Sequence, residues 1–423
     1  MVEAAPKEKL IEVQTQESFI KDLIVRIPKE SDTIVFAPKI GTTPEDDESN
    51  SLVTQLFNTI IEANKRGVDA KIITDLHYSQ YTRVGIRTLA NWWPLDKEKR
   101  KIKKLNKIST RTNLETLKNA GVLQDLQPRI QSNRHSTLIR NLTSRHLLQR
   151  WAIAHQKGAI IDSSFTISTG NLTSSDIYDM NNFAIKFEGK YGEGLAGVVT
   201  ELMAPNAKLR DAGAHDAEID DIMIVHDYNN VGDPGRLPII QQIAEKLIHP
   251  SRDGHIDLSN PNLILTPKKT ERVVYLSPYI PDGKLLIALK EAQRQGVKVV
   301  IPRQPKGDYR ETTFPFNIQA WSSHINGIKN VQRPYREKPS HIKCLITKYE
   351  DGSAAVLFGS DNLSTYIQKL MRNEEMAVLI RINKNSSEEI KTFYKDLYQT
   401  LFRLGEINEE TYSSLDLSAR DGT

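Results

Sequence analysis

A chain of 423 residues, 39% hydrophobic and 26% charged, has the composition of an ordinary folded protein with room for two or three domains. It holds no apolar run near the roughly 18 residues that cross a bilayer, and its one cysteine, Cys344, excludes a disulfide framework and any multi-cysteine zinc or iron–sulfur site. A formal net charge of +4 with a pI near 8.8 suits an anionic partner without choosing between nucleic acid and lipid. The charged start, Met1 to Gln14, lacks the apolar stretch of a signal peptide, so a soluble cytoplasmic protein is expected.

In chain order, Thr33 to Pro38 reads as a strand, Ser51 to Arg66 as an amphipathic helix, and Gly67-Val-Asp-Ala-Lys-Ile-Ile-Thr-Asp75 as a turn and second strand. The same order returns later: strand Arg272 to Pro278, helix Lys284 to Gln295, then turn and strand from Gly296 to Pro302. Gly67 and Gly296 each close a helix, where a left-handed cap favours glycine. Strand, helix, strand in both copies predicts an α/β fold of two pseudo-symmetric lobes, each a mixed, mostly parallel sheet flanked by helices. The expected division is a first lobe over 15–204, a linker with one helix (Leu237 to Ile248) over 205–261, a second lobe over 262–412 and a polar tail. The first lobe has extra length that includes Trp92, Trp93 and the basic run Lys97-Glu-Lys-Arg-Lys-Ile-Lys-Lys104, which reads either as a solvated helix face or as a contact for anions.

Each copy then reaches an H-x-K sequence. The first is His155-Gln-Lys157, followed by an apolar run, a turn at Asp162-Ser163-Ser164, a returning strand Phe165 to Ser168, and Thr169-Gly170-Asn171. On a strand the period of two puts His155 and Lys157 on one face, and the hairpin brings Asn171 beside them. Imidazole, ammonium and carboxamide together make a phosphate site: lysine supplies fixed charge, asparagine N–H donors, and histidine attacks phosphorus or shuttles a proton. The second copy is His341-Ile-Lys343, a turn at Glu350-Asp351-Gly352, strand Ala354 to Phe358, and Gly359-Ser360-Asp361-Asn362. A lone histidine on a strand is more often structural; two in matching contexts argue for a paired site. Cys344, alternating away from the lysine face, is expected in the core. His215, His226, His249 and His255 have no ligand spacing, so none is read as a metal ligand; no cofactor is expected. The Asn-x-Ser/Thr matches at Asn141, Asn171, Asn362 and Asn385 are discounted as glycosylation sites.

These residues resemble the phospholipase D superfamily, whose signature is H-x-K, four residues, Asp, six residues and Gly-Ser-x-Asn, twice per site. The resemblance spans nearly the whole chain, including Tyr275-Leu-Ser-Pro-Tyr-Ile-Pro-Asp282. It implies a site at the interface of two lobes, no metal, and a covalent phosphohistidine intermediate: one histidine attacks, the other protonates the leaving oxygen, and Lys157, Lys343, Asn171 and Asn362 hold the phosphoryl oxygens. Asp162 stands at the first aspartate position; Lys348 stands at the second, with Asp351 as a substitute. Ser168-Thr-Gly170-Asn171 lacks the first glycine and arrives one position early. The family places a carboxylate behind each histidine, and Glu375 fits that position in the second half where the first half has Asn182. The expectation is that Glu375 backs His341 and makes it the more basic ring; the identity of the nucleophile stays open.

For substrate, Asn182-Phe-Ala-Ile-Lys-Phe-Glu-Gly189 resembles the strand after the first motif in cardiolipin synthases and phosphatidyltransferases. Lipid is therefore the expected substrate, with Trp92, Trp93 and the lysine run seated on an anionic membrane surface; Gly170, Ser360 and Asn182 complete the expected binding residues. A metal-independent nuclease of the same superfamily is the alternative, the same patch stacking bases. A third reading, prompted by Lys348 and Asn182, is a catalytically weak binding module. Two motifs in one chain make a monomer sufficient.

Overall fold

The computed structural model describes residues 9–29, 32–37, 39–48, 50–75, 97–125, 155–203, 213–219, 221–228, 239–248, 269–279, 281, 283–302, 338–363 and 374–415. Trp92 and Trp93 lie outside them. The first strand–helix–strand unit is β2 (Asp32–Ala37), α3 (Leu52–Lys65) and β4 (Asp69–Thr74). Ser51 caps the helix by accepting from the Thr54 N–H, and Gly67 closes it at φ +92°. The second unit is β12 (Thr270–Leu276), α7 (Gly283–Arg294) and β13 (Lys298–Val300), closed by Gly296 at φ +89°. Both units pair their strands in parallel.

Most of the pairing, however, is antiparallel, which corrects the expected mostly parallel sheets. The first sheet adds β1 (Ile11–Thr15), β5 (Leu123–Asp125), β6 (Gly158–Ile161), β7 (Ser164–Ser168) and β9 (Phe183–Phe187), in the order β1-β9-β7-β6-β2-β4-β5. The second is ordered β10-β11-β16-β15-β14-β12-β13, with β10 (Gly213–Ile219), β11 (Ile222–Tyr228), β14 (Cys344–Tyr349), β15 (Ala354–Gly359) and β16 (Glu374–Ile382). Only a helical crossover returns a strand in parallel, whereas the motif strands β6 and β14 are followed by tight hairpins and pair antiparallel with β7 and β15. The segment expected as a linker is also corrected. Its hairpin β10–β11 extends the second sheet, β11 pairing along β16 from Ile222–Ile380 to Tyr228–Glu374, and its helix α6 (Ile239–Ile248) packs on that sheet.

Both faces of both sheets are covered. Outer-facing Val35, Ala70, Ile72 and Ala159 meet α1 (Gln16–Arg26), α3 and α4 (Lys97–Asn119). On the second sheet Val273, Leu345, Leu357 and Leu379 meet α6 and α7. Alternate residues of the same strands, among them Phe165, Ile167, Phe183 and Ile185 facing Ile346, Val356, Phe358 and Val378, form a third core between the sheets. Phe183 and Phe358 stack across it with centroids 4.6 Å apart. Helix α5 (Gly189–Met203), which follows β9, packs onto β10 and β11 of the other lobe, and α8 (Glu388–Arg403), which follows β16, packs onto β1. Cys344, fully buried in this core, has its thiol pushed well above the ordinary range by burial. Among the described residues no helix is long and apolar enough to cross a membrane.

Phe183→Ala should destabilise the protein by about 3–5 kcal/mol, since it opens a cavity where the sheets meet. Cys344 reports on it: the thiol should resist labelling in the native state and react in step with urea unfolding, at lower urea in the variant. Rapid labelling of native wild-type protein would contradict the packing.

Candidate active site

The two H-x-K segments leave their sheets just before β6 and β14 and turn toward the opposite lobe. The His155 N–H donates to the Glu374 carbonyl at 2.8 Å, and the His341 N–H donates to the Asn181 carbonyl at 2.9 Å. Glu374 opens β16 and Asn181 precedes β9 at the equivalent place. The histidine ends of these segments thus bond across the interface, while the Lys157 and Lys343 carbonyls still accept from the Ser168 and Gly359 N–H groups of their own hairpins. Lys157 folds back, its Nζ 2.9 Å from the His155 carbonyl and 3.1 Å from His155 Nε2. Lys343 Nζ reaches the His341 carbonyl at 2.7 Å and the Thr169 carbonyl of the other lobe at 3.4 Å. Both lysines are buried.

The carboxylates cross too. Glu375 lies on His155, with its two oxygens 2.8 and 2.9 Å from Nδ1, which corrects its expected place behind His341. Strand β16 begins at the interface and points residue 375 into the opposite lobe, so the nearer motif in sequence is not its partner. Ser360 Oγ donates to the second oxygen of Glu375 and accepts from the Met376 N–H at 2.9 Å.

By the same pseudo-symmetry Asn182 takes the place of Glu375: Thr169 N–H donates to the Phe183 carbonyl as Ser360 N–H does to Met376, and Thr169 Oγ1 donates to Asn182 Oδ1 at 3.0 Å. Asn182 does not reach the ring itself but passes its Nδ2 to the Asp176 carbonyl at 2.8 Å. Asp176, on a π-helical turn (Ser175–Asp179), brings an oxygen to 3.0 Å from His341 Nδ1, off the axis of the ring N–H. Its other oxygen accepts from Thr173 Oγ1 at 2.7 Å and Asn171 Nδ2 at 3.2 Å. Sequence reading missed Asp176. The available signal was indirect: with asparagine at position 182, an acid had to come from the stretch after Asn171, which offers Asp176 and Asp179.

Of the other expected residues, Asn171 and Asn362 are buried at equivalent positions with Oδ1 atoms that have no hydrogen-bond partner. At Gly170 a Cβ would lie 2.6 Å from the Gln16 carboxamide, which would have to shift to admit it. Ser168 stands where the second motif has Gly359, and its hydroxyl donates to Gln16 of α1 at 2.6 Å; at Gly359 a Cβ would sit 2.2 Å from the Met376 carbonyl. Asp162 is not at the site. It sits in the exposed turn at the far end of β6, φ +46°, and accepts from the Asp32 N–H at 3.0 Å. Asp351 caps its own turn through the Ser353 N–H, and Lys348 reaches the Ser414 carbonyl at 2.6 Å, so neither takes part. His226, discounted above, is buried and pairs with Glu374 at 2.9 Å. Among the described residues no group of three or more His, Cys, Asp or Glu could hold a metal ion.

Burial sets the proton balance. It lowers the His155 imidazole to about 4, Glu375 opposing and Lys157 assisting, and His341 to about 3, Lys343 assisting and Asp176 opposing. Burial also lowers the Lys157 ammonium to about 8, against Glu375 and Asp176. Burial alone would raise both carboxyls, but His155 holds Glu375 down and His341 holds Asp176 well below the usual range. At pH 7 both rings are neutral beside two carboxylates, with the His155 proton on Nδ1 and a lone pair on Nε2.

No protein-family model matches the chain, and no curated protein matches its sequence. Solved structures do match. Phosphatidylserine synthase from Haemophilus influenzae superposes with a TM-score of 0.54 at 11% identity, over 96% of this chain and 89% of that one. The yeast tyrosyl-DNA phosphodiesterase matches at a TM-score of 0.43 and 11% identity, over 89% of this chain and 90% of that one. Nuc of Salmonella typhimurium, a phospholipase D family member, matches 46% of this chain with 91% of its own at a TM-score of 0.27 and 16% identity. The chain shares its fold with that phosphatidylserine synthase. The two lobes meet where both H-x-K segments lie.

The neutral rings carry a stability cost in acid. The unfolded histidines titrate near 6.5, so between that value and the lower folded ones the unfolded chain binds more protons, and stability falls as pH drops from about 6.5. Urea midpoints measured from pH 7 to 4.5 should decline, and His155→Gln should make the decline shallower. Identical slopes would contradict the buried neutral ring.

Proposed function

We propose that the chain transfers or hydrolyses phosphodiesters through a covalent phosphohistidine, with His155 as nucleophile and His341 as general acid and then base. The observation that carries this is the exchange of carboxylates: each lobe's histidine is oriented by an acid of the other lobe, with a buried lysine beside it. Glu375 holds the proton of His155 on Nδ1, which leaves Nε2 free to attack. Before substrate arrives His155 titrates at the higher value, about 4 against about 3 for His341; the hydrogen bond that Lys157 gives to Nε2 and the charge of the bound anion are what place the proton on His341 in this mechanism.

A phosphodiester entering the site carries one negative charge. Lys157 and Lys343 turn to its non-bridging oxygens, together with the carboxamides of Asn171 and Asn362 after reorientation. The added anion favours the cationic form of His341. Nε2 of His155 then forms an N–P bond as the P–O bond to the leaving group breaks, and His341 passes its proton to the departing oxygen. In the second half His341 removes a proton from water or an acceptor alcohol, whose oxygen displaces His155 from phosphorus. No step calls for a metal.

The substrate we favour is a phospholipid. The synthase that shares this fold is named for a phosphatidyl product, and a single chain supplies both motifs. Purified protein should turn over a phospholipid such as phosphatidylglycerol in EDTA, and acid-sensitive label from the phosphatidyl group should map to His155. Label on His341 would reverse the roles; turnover of nucleic acid alone would make it a nuclease; loss of activity in EDTA would sink the two-histidine mechanism. His155→Asn and His341→Asn should each lower kcat by at least about a thousandfold, the residual coming from binding.

The pH profile offers a separate check. The free enzyme is competent when the coupled pair holds one proton, a minor form above values of about 4 and 3. Accordingly kcat/KM should rise as pH falls from 8 toward 5, the loss of the Lys157 charge near 8 acting in the same direction. A profile that rises with pH through 7 would require a different proton inventory.

A further inference from the structure

Helix α4 divides into two unlike halves. Its C-terminal half is seated: Leu114 and Leu117 are buried, Ser109 Oγ lies 2.8 Å from Thr42 Oγ1, and Asn113 Nδ2 donates to the same oxygen at 2.9 Å. Its N-terminal half has the sequence Lys97-Glu-Lys-Arg-Lys-Ile-Lys-Lys-Leu-Asn-Lys-Ile108, dominated by cations with Glu98 as its one acid. Within that half Leu105 is 42% exposed and Ile108 53% exposed. Three residues apart, they share one face of the helix, between exposed Lys104 and Lys107.

Charge and apolar surface together narrow the partner. A polyanion such as nucleic acid uses the lysines but gains nothing from an aliphatic pair, which stays in water at a cost. An anionic bilayer uses both: Leu and Ile enter the acyl boundary while lysine stems lie along it and place their ammonium groups at the phosphates. Position adds a second argument. Thr42, the anchor of α4, ends a short segment that starts at Lys39, whose charge acts on Asp176 and whose carbonyl accepts from the Leu172 N–H. In between, Ile40 and Gly41 pair with Leu172 and Thr173 as strands β3 (Ile40–Gly41) and β8 (Leu172–Thr173). The basic helix thus joins directly to the loop that carries Asn171 and Asp176.

We propose that the face formed by Lys104, Leu105, Lys107 and Ile108 docks on an anionic phospholipid surface and presents the two-histidine site to the headgroups. This rests on the phosphodiester reading for its purpose, but its test does not. Full-length protein is sedimented with vesicles of phosphatidylglycerol or of phosphatidylcholine, alongside the Leu105→Ser/Ile108→Ser and Lys104→Glu/Lys107→Glu variants. Wild type should favour phosphatidylglycerol at least tenfold, and each variant should lose about tenfold in that binding with an unchanged urea midpoint, because the altered side chains are exposed. His155→Asn should bind vesicles as wild type does, which separates docking from chemistry. Absence of vesicle binding, or equal binding by wild type and the serine variant, overturns the proposal. So does preferential binding of single-stranded nucleic acid that depends on the lysines and not on Leu105 and Ile108.

Discussion

Everything at the site depends on one constraint: each motif histidine is held by the lobe it does not belong to. The main-chain N–H of His155 and its ring Nδ1 go to Glu374 and Glu375 of the second lobe; those of His341 go to Asn181 and Asp176 of the first. Four contacts, two per ring, close only when the sheets sit in one relative position. The apolar layer between the sheets, with the Phe183–Phe358 stack at its centre, supplies that position. Helices α5 and α8, each lying on the other lobe's edge strands, resist rotation about it. The core is therefore part of the site's geometry: a shift of an ångström between lobes would misplace both rings at once.

How much of this was legible in the sequence follows the range of the interactions. Capping glycines, strand–helix–strand units and motif hairpins are set by residues within a few positions of one another, and Gly67, Gly296 and Ser51 stand where local rules put them. Strand direction is not a local property, so repeated crossover units suggested parallel sheets while four hairpin-linked strands made them mainly antiparallel. The apolar run Ile222-Met-Ile-Val225 belonged to a strand, but its neighbours Gly213 to Glu218, polar and rich in small residues, looked like linker until β16 paired with β11. The exchange of carboxylates was the hardest to see. Sequence proximity pairs Glu375 with His341; only the interface, where β16 begins, turns it to His155.

The departures from the family signature have local causes once the neighbours are known. Gly359 has the Met376 carbonyl against it and no room for a side chain, whereas Ser168 at the matching place keeps its hydroxyl because Gln16 accepts from it. Helix α1, capped by Thr15 and touching the first motif loop through Gln16, has no counterpart among the described residues of the second lobe. Asn182 likewise keeps the position of Glu375 but not its function: it braces Asp176, and the carboxylate comes from six residues earlier in the chain. Lys348, in place of an aspartate that in the first lobe only ties a hairpin turn to Asp32, ties its own strand to the end of helix α9 (Glu409–Leu415) through the Ser414 carbonyl. These are substitutions of bracing, and they leave both histidine–lysine pairs intact.

The residual asymmetry matters for the chemistry proposed. Without substrate the site holds two ammonium groups, two carboxylates and two neutral rings, a balanced set that burial tolerates because each charge has an opposite neighbour. A phosphodiester adds one negative charge and removes water, and the least costly response is for one ring to gain a proton. Symmetric rings would share that proton and divide the population between two mirror-image complexes. Here they differ: both oxygens of Glu375 face His155 while Lys157 donates to its far nitrogen, whereas Asp176 meets His341 off axis and divides its oxygens among Thr173, Asn171 and Asn182. In the mechanism proposed, His341 takes the added proton although without substrate it has the lower value, about 3 against about 4 for His155, because the hydrogen bond from Lys157 occupies the His155 lone pair that would otherwise accept it. Asymmetric bracing turns a duplicated motif into two distinct roles.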